Sequence, residues 1–174
     1  ICALKKLTIS EEEFQGQHEK YFIREVDILS KTNNPFLLHL LGFSDHYPYV
    51  IATEFITRGS LFDAIHRKPN APVLDGTQLT IIALIIATCF QNLHEVNIIH
   101  RDIKALNVLL DDNLLPHICD FGISRELKED LQNSEQAGPV TGEIGTPNWM
   151  APELFSTDGY TNKVDVYAYG ILLW

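Results

Sequence analysis

The chain opens on a short strand pattern. Residues 1–7 read as Ile-Cys-Ala-Leu-Lys-Lys-Leu, and strand alternation sends Lys5 and Lys6 to opposite faces. Ser10 and Glu13 then form a capping box, with Ser10 at the N-cap. Phe14, Phe22, Val26 and Leu29 recur at helical spacing, which predicts a helix to about Lys31, ended by Asn33-Asn34-Pro35. Residues 36–43 and 49–55 read as strands joined by the turn-prone Ser44-Asp45-His46. Arg58-Gly59-Ser60 breaks the second strand, and a short helix over 61–66 follows.

The second half changes character. Residues 77–96 predict a long helix, apolar on most sides and therefore buried and central. Residues 108–110 and 117–119 are short strands around an Asp111-Asp112-Asn113 turn. Residues 122–148 are polar and rich in Gly, Ser and Glu, a length that marks a functional or disordered loop. Thr161 starts a last helix. The fold class is α+β, with strands and one helix first and a mostly helical part after.

Composition narrows the function. Of 174 residues, 45 % are apolar, enough for a core. Thirteen basic against 23 acidic side chains give a net charge of −10, which disfavours nucleic acid as a partner but leaves a local phosphate site open. Cys2, Cys89 and Cys119 are odd in number and form no CxxC, which suits a reducing, cytoplasmic setting. The longest near-apolar run, 79–89, is about half the length that spans a bilayer, so no membrane segment is expected. Both ends run through predicted secondary structure: Ile1 opens inside a strand and Trp174 closes an uncapped apolar run. The expectation is a piece of a longer protein, with regulatory domains upstream or downstream. It is expected to be of low stability alone.

The chemistry concentrates in His100-Arg101-Asp102-Ile103-Lys104-Ala105-Leu106-Asn107. Asp120-Phe121-Gly122 starts 18 residues after Asp102, and Ala151-Pro152-Glu153 starts 31 residues after Asp120. Lys5 follows Ala3-Leu4, and Glu25 lies 20 residues beyond it on the first helix. In order, type and spacing this set resembles the protein-kinase signature. The resemblance covers essentially the whole chain, although no GxGxxG occurs. It implies a bilobal protein-kinase-like fold, truncated: an incomplete small lobe over 1–53 (antiparallel sheet plus one helix), a hinge over 54–59, and an incomplete, mostly helical large lobe over 60–174.

The resemblance also implies roles. Asp102 would orient the substrate hydroxyl as base, and Lys104 would place its ammonium on the transferred phosphate. Asn107 and Asp120 supply hard oxygens suited to Mg²⁺. Lys5 would hold the ATP phosphates, positioned by Glu25. Ala3 and Leu109 would sandwich adenine, Thr53 matches the gatekeeper, Glu54 and Ile56 the hinge, and Ser60 would lie near the ribose. Leu29, Leu40, His100 and Phe121 match the apolar column that active members assemble. His100 and Cys119 read as core residues. Arg101 could receive a phosphate on the loop, with Thr141 the favoured site. Thr146 should hydrogen-bond the base and the lysine, and Glu153 anchors the Ala-Pro-Glu turn. Asp102-Ile103-Lys104 and Gly145-Thr146-Pro147 imply a Ser/Thr-specific kinase of the tyrosine-kinase-like group acting on protein substrates. The alternatives are an inactive, pseudokinase-like interaction module and a tyrosine or dual-specificity kinase.

Overall fold

The computed structural model describes residues 1–7, 14, 16–126, 146–155 and 160–174. Strands β1 (Cys2–Lys6), β2 (Leu40–Ser44) and β3 (Val50–Glu54) form an antiparallel sheet in the order β1-β3-β2. β3 is central and buries Ile51 and Thr53, alternate residues of one face. Helix α1 (Gln17–Lys31) packs on the sheet. Phe14, Phe22, Val26, Tyr49 and Ile51 form the small-lobe core between them.

The capping box falls on residues the structure does not describe, and Phe14 just beyond it is helical. Gly16 has φ 93°, a conformation open to glycine, and breaks the helical run before Gln17. Residues 10–13 lie outside the described residues. At its other end, Thr32 closes the helix through N–H and Oγ1 bonds to the Ile28 carbonyl (3.0 and 2.8 Å). The strand predicted over 36–43 begins only at Leu40. Residues 36–38 instead bond across to the large lobe: Leu38 N–H donates to Ile118 O (2.9 Å) and Ile118 N–H to Phe36 O (2.8 Å).

The large lobe contains α2 (Leu61–Ile65), α3 (Gly76–Glu95), β4 (Ile98–Ile99), β5 (Val108–Leu110), β6 (Pro116–Ile118), β7 (Arg125–Glu126) and α4 (Lys163–Leu173). Asp75 and Gln78 cap α3 reciprocally at 2.8 Å each. Its buried face, Ile82, Ile86, Cys89, Phe90 and Leu93, joins the main core with Ile103, Val108, Leu110, Ile118 and Phe121. Two expectations for α3 need correction. It is not buried on most sides, because Leu79, Ile81 and Leu84 are exposed. At 20 residues and mean hydropathy 1.4, it is also long and apolar enough to cross a membrane by length and composition, whereas the sequence run suggested half that length. Its other face belongs to the lobe core, the ordinary position of a central helix. The pairs β5–β6 and β4–β7 are antiparallel; β4 and β7, two residues each, were not anticipated.

One prediction follows from this packing. Ile86→Ala should destabilise the protein by about 2–5 kcal/mol, while Leu84→Ala, on the open face, should stay within about 0.5 kcal/mol. Urea unfolding midpoints of the two variants check this contrast.

Candidate active site

The sheet, α1 and the segment after β6 meet at one ionic cluster. Lys5 Nζ on β1 lies 2.9 and 2.7 Å from the two carboxylate oxygens of Glu25 on α1, and 3.3 Å from Asp120 Oδ1. Asp27, two residues on in the same helix, instead pairs with Lys31 at 2.6 Å. Burial opposes the Lys5 charge, but the carboxylates of Glu25 and Asp120 outweigh it and hold the ammonium above the usual lysine value. Burial pushes the Glu25 carboxyl up, Lys5 pulls it back, and the like charge of Asp120 adds to the rise.

The segment 100–107 is built on bonds to Asp102. Its Oδ2 accepts from Lys104 Nζ (2.6 Å) and Asn107 Nδ2 (2.8 Å), and Asn107 Nδ2 also reaches Asp102 O at 2.8 Å. Thr146 Oγ1 lies 2.8 Å from Lys104 Nζ and donates to Asp102 Oδ1 at 3.2 Å. The occupied Thr146 hydroxyl is the one expected. Burial disfavours the Asp102 charge, but Lys104, by hydrogen bond and by charge, and the Asn107 amide hold the carboxyl below the usual aspartate range. It is therefore a carboxylate at neutral pH, able to accept a proton.

Two oxygens fit a hard divalent cation. The Asp120 side chain is half exposed. Asn107 uses its amide nitrogen on Asp102, so its amide oxygen is the atom left to act as a ligand. Among the described residues no group of three His, Cys, Asp or Glu forms a complete metal cage. A cation here would share its ligands with phosphate oxygens. Arg101 and Asp120 both have left-handed backbones, φ 67° and 68°. Such strain in residues with side chains persists where surroundings over-determine it, as at functional sites.

The residues expected at a nucleotide fall along one path. Ala3 pairs with Thr53 in the sheet, and Leu109 on β5 bridges to Ser60. Thr53 is buried and donates to Glu54 O at 3.2 Å. Ile56 follows in the crossing to Gly59, where φ 75° lets the chain turn into β5 contacts: Leu110 N–H donates to Gly59 O at 2.8 Å. Ser60 is buried and caps α2 in a reciprocal pair with Asp63, donating from Oγ to Oδ2 at 2.6 Å and accepting Asp63 N–H at 3.1 Å. The donor expected at the ribose is thus already engaged. Burial pushes the Cys119 thiol up to about 12, so it behaves as an inert small residue. Leu29, His100 and Phe121 are buried, Leu40 packs against the same core, and the His100 and Phe121 rings meet at 4.8 Å. The column is assembled, and His100 is a core residue.

Arg101 is buried, and its Nε donates to Ile123 O at 2.6 Å. Thr141, its expected phosphate donor, lies outside the described residues. Glu153 sits in the turn Pro152–Phe155. Sequence reading missed Asp165, Tyr160 and His94. Asp165 on α4 is 1 % exposed; it accepts the backbone N–H groups of His100 and Arg101 (2.8 Å each) and contacts His94 Nε2 at 2.9 Å. A carboxylate in the first turn of an otherwise apolar helix was the available signal.

The chain belongs to the protein tyrosine and serine/threonine kinase family, whose description matches residues 1–174. It is 38 % identical over 174 residues to a probable serine/threonine-protein kinase of Dictyostelium discoideum, covering 99 % of this chain and 18 % of that protein. It is 37 % identical to the serine/threonine-protein kinase STY46 of Arabidopsis thaliana, covering 94 % of this chain and 27 % of that protein. The serine/threonine/tyrosine-protein kinase HT1 of Arabidopsis thaliana is 34 % identical, covering 97 % of this chain and 42 % of that protein. The chain thus spans well under half the length of each of these relatives.

Asp102 has a pH signature. Its folded-state pKa is depressed, so its contribution to stability is present above the unfolded value and is lost as pH falls through the folded one. The stability difference between wild type and Asp102→Asn should be flat from about pH 5 to 8 and shrink below about pH 4. Urea unfolding across that series measures it. A difference that changes between pH 5 and 8 would assign the titration to another group.

Proposed function

We propose that this chain is the catalytic portion of a protein serine/threonine kinase, transferring the γ-phosphate of ATP to hydroxyls of protein substrates. The observation that carries the reading is the Lys104 ammonium held between Asp102 Oδ2 and Thr146 Oγ1 at 2.6 and 2.8 Å. A base and a cation thus face one point, where an attacking hydroxyl needs the first and a moving phosphoryl group the second.

The chain's own groups divide the work. Asp102 orients the substrate hydroxyl and accepts its proton. Lys104 stabilises charge on the transferred group. Lys5 holds the phosphates, and Glu25 fixes Lys5. Thr53, Glu54 and Ile56, with Ala3 and Leu109, frame the adenine. Asp120 and Asn107 would hold Mg²⁺, which neutralises phosphate charge when bound. The relatives' names support Ser/Thr specificity, while HT1 supports dual specificity as the second reading. The assembled Lys5–Glu25–Asp120 cluster weighs against an inactive module. We include a cytoplasmic setting in the proposal, which the three free cysteines support.

The test uses full-length protein with ATP, Mg²⁺ and peptides bearing Ser, Thr or Tyr. Asp102→Asn and Asp120→Asn should each lower transfer by ~10²–10⁴ with unchanged circular dichroism. Activity of Asp120→Asn within about threefold of wild type would overturn the assignment. Transfer to Tyr at a rate matching Ser and Thr would select dual specificity.

A further inference from the structure

We propose that Tyr160 is a positioning residue for the base, acting through Arg101; the proposal rests on the phosphotransfer reading. Tyr160 stands just before α4, and its ring packs against the cluster of Ile99, Ala151, Leu154 and Val164. Arg101 Nη1 donates to the Tyr160 hydroxyl at 2.8 Å, and the guanidinium carbon lies 5.6 Å from the ring centroid. The same guanidinium donates through Nε and Nη2 to Ile123 O. One side chain therefore ties the segment leading into α4 to the residues that follow Asp120.

The backbone of Arg101 is held from the same direction. Its N–H donates to Asp165 Oδ1 at 2.8 Å, on the helix that Tyr160 precedes. Arg101 is gripped at both ends, by Asp165 at the backbone and by Tyr160 at the guanidinium. Asp102 is the next residue, and Arg101 holds φ 67°, a strained conformation that these contacts help to fix. Movement of the Arg101 side chain would release Ile123 and relax the turn that aims Asp102.

Among the described residues the guanidinium meets a phenol and a backbone carbonyl. A phosphate on a neighbouring segment would grip a guanidinium more strongly, but only after modification. The phenol is present from synthesis. Tyr160 therefore gives this kinase a base that is aligned before any loop phosphorylation.

The test compares full-length wild type, phosphatase-treated wild type and Tyr160→Phe, which keeps the ring and removes the hydroxyl. Tyr160→Phe should lower kcat about tenfold with the KM for ATP within about twofold, since the nucleotide contacts lie elsewhere. Amide exchange should accelerate at Arg101, Asp102 and 121–124, while the α3 amides keep their rates. Phosphatase-treated wild type should retain its kcat within about threefold. Unchanged kcat and exchange in Tyr160→Phe would overturn the proposal. So would faster exchange throughout the large lobe, which marks a packing role only. A phosphatase-treated wild type as slow as Tyr160→Phe would assign the task to a phosphate. If wild type transfers no phosphate, the functional reading fails, and the exchange pattern alone then decides whether Tyr160 holds Arg101.

Discussion

Asp165 buries a carboxylate almost completely, which is costly unless donors replace the lost water. It has three: the backbone N–H groups of His100 and Arg101, and the His94 ring. The rest of the site depends on this arrangement. The two backbone bonds fix the chain where Arg101 turns left-handed, and the next residue is Asp102, the proposed base. Helix α4 thus supplies no catalytic side chain yet sets the position of one. Removing the carboxylate would strand two buried amides rather than delete one contact.

The second organising element joins the lobes by charge. Lys5 comes from the sheet, Glu25 from α1, and Asp120 from the segment after β6. Each carboxylate raises the cost of the other, and Lys5 between them makes both tolerable. A cationic ligand at Asp120 would relieve the same repulsion. The cluster therefore has affinity for positive charge built into its own balance of burial and pairing. Cys119, next to Asp120, takes no part, because burial keeps its thiol neutral.

The candidate site was largely legible in the sequence because its chemistry restricts residue types at near-fixed spacing. Lys5, Glu25 and Asp120 meet in one cluster, and Asp102, Lys104, Asn107 and Thr146 in another. Asp165, Tyr160 and His94 were not legible. They work by meeting partners 59 to 71 residues away, and only Asp165, an acid in the first turn of α4, carries any local mark. The limits of fold reading are equally specific. Helix α3 mixes exposed Leu79, Ile81 and Leu84 with exposed Thr80, Thr88 and Gln91, so its open face did not stand out as a polar stripe. β4 and β7 are too short for alternation to register. Gly16 fell inside a window that residues on either side made look helical. Ser60 was placed near a ribose, and its second role, as the cap that Asp63 completes three residues on, was not read.

The backbone bonds between 36–38 and Ile118 have a mechanical consequence. They pin the C-terminal end of α1 to the large lobe, while its other end rides on the small sheet. Helix α1 is thus a lever with its fulcrum near Phe36 and its load at Glu25. At 1.5 Å per helical residue, Glu25 lies ~10 Å from the end of α1. A tilt of about 10° would carry it nearly 2 Å, enough to part a 2.7 Å bond to Lys5. Small rotations between the lobes are therefore geared directly to the making and breaking of one ion pair.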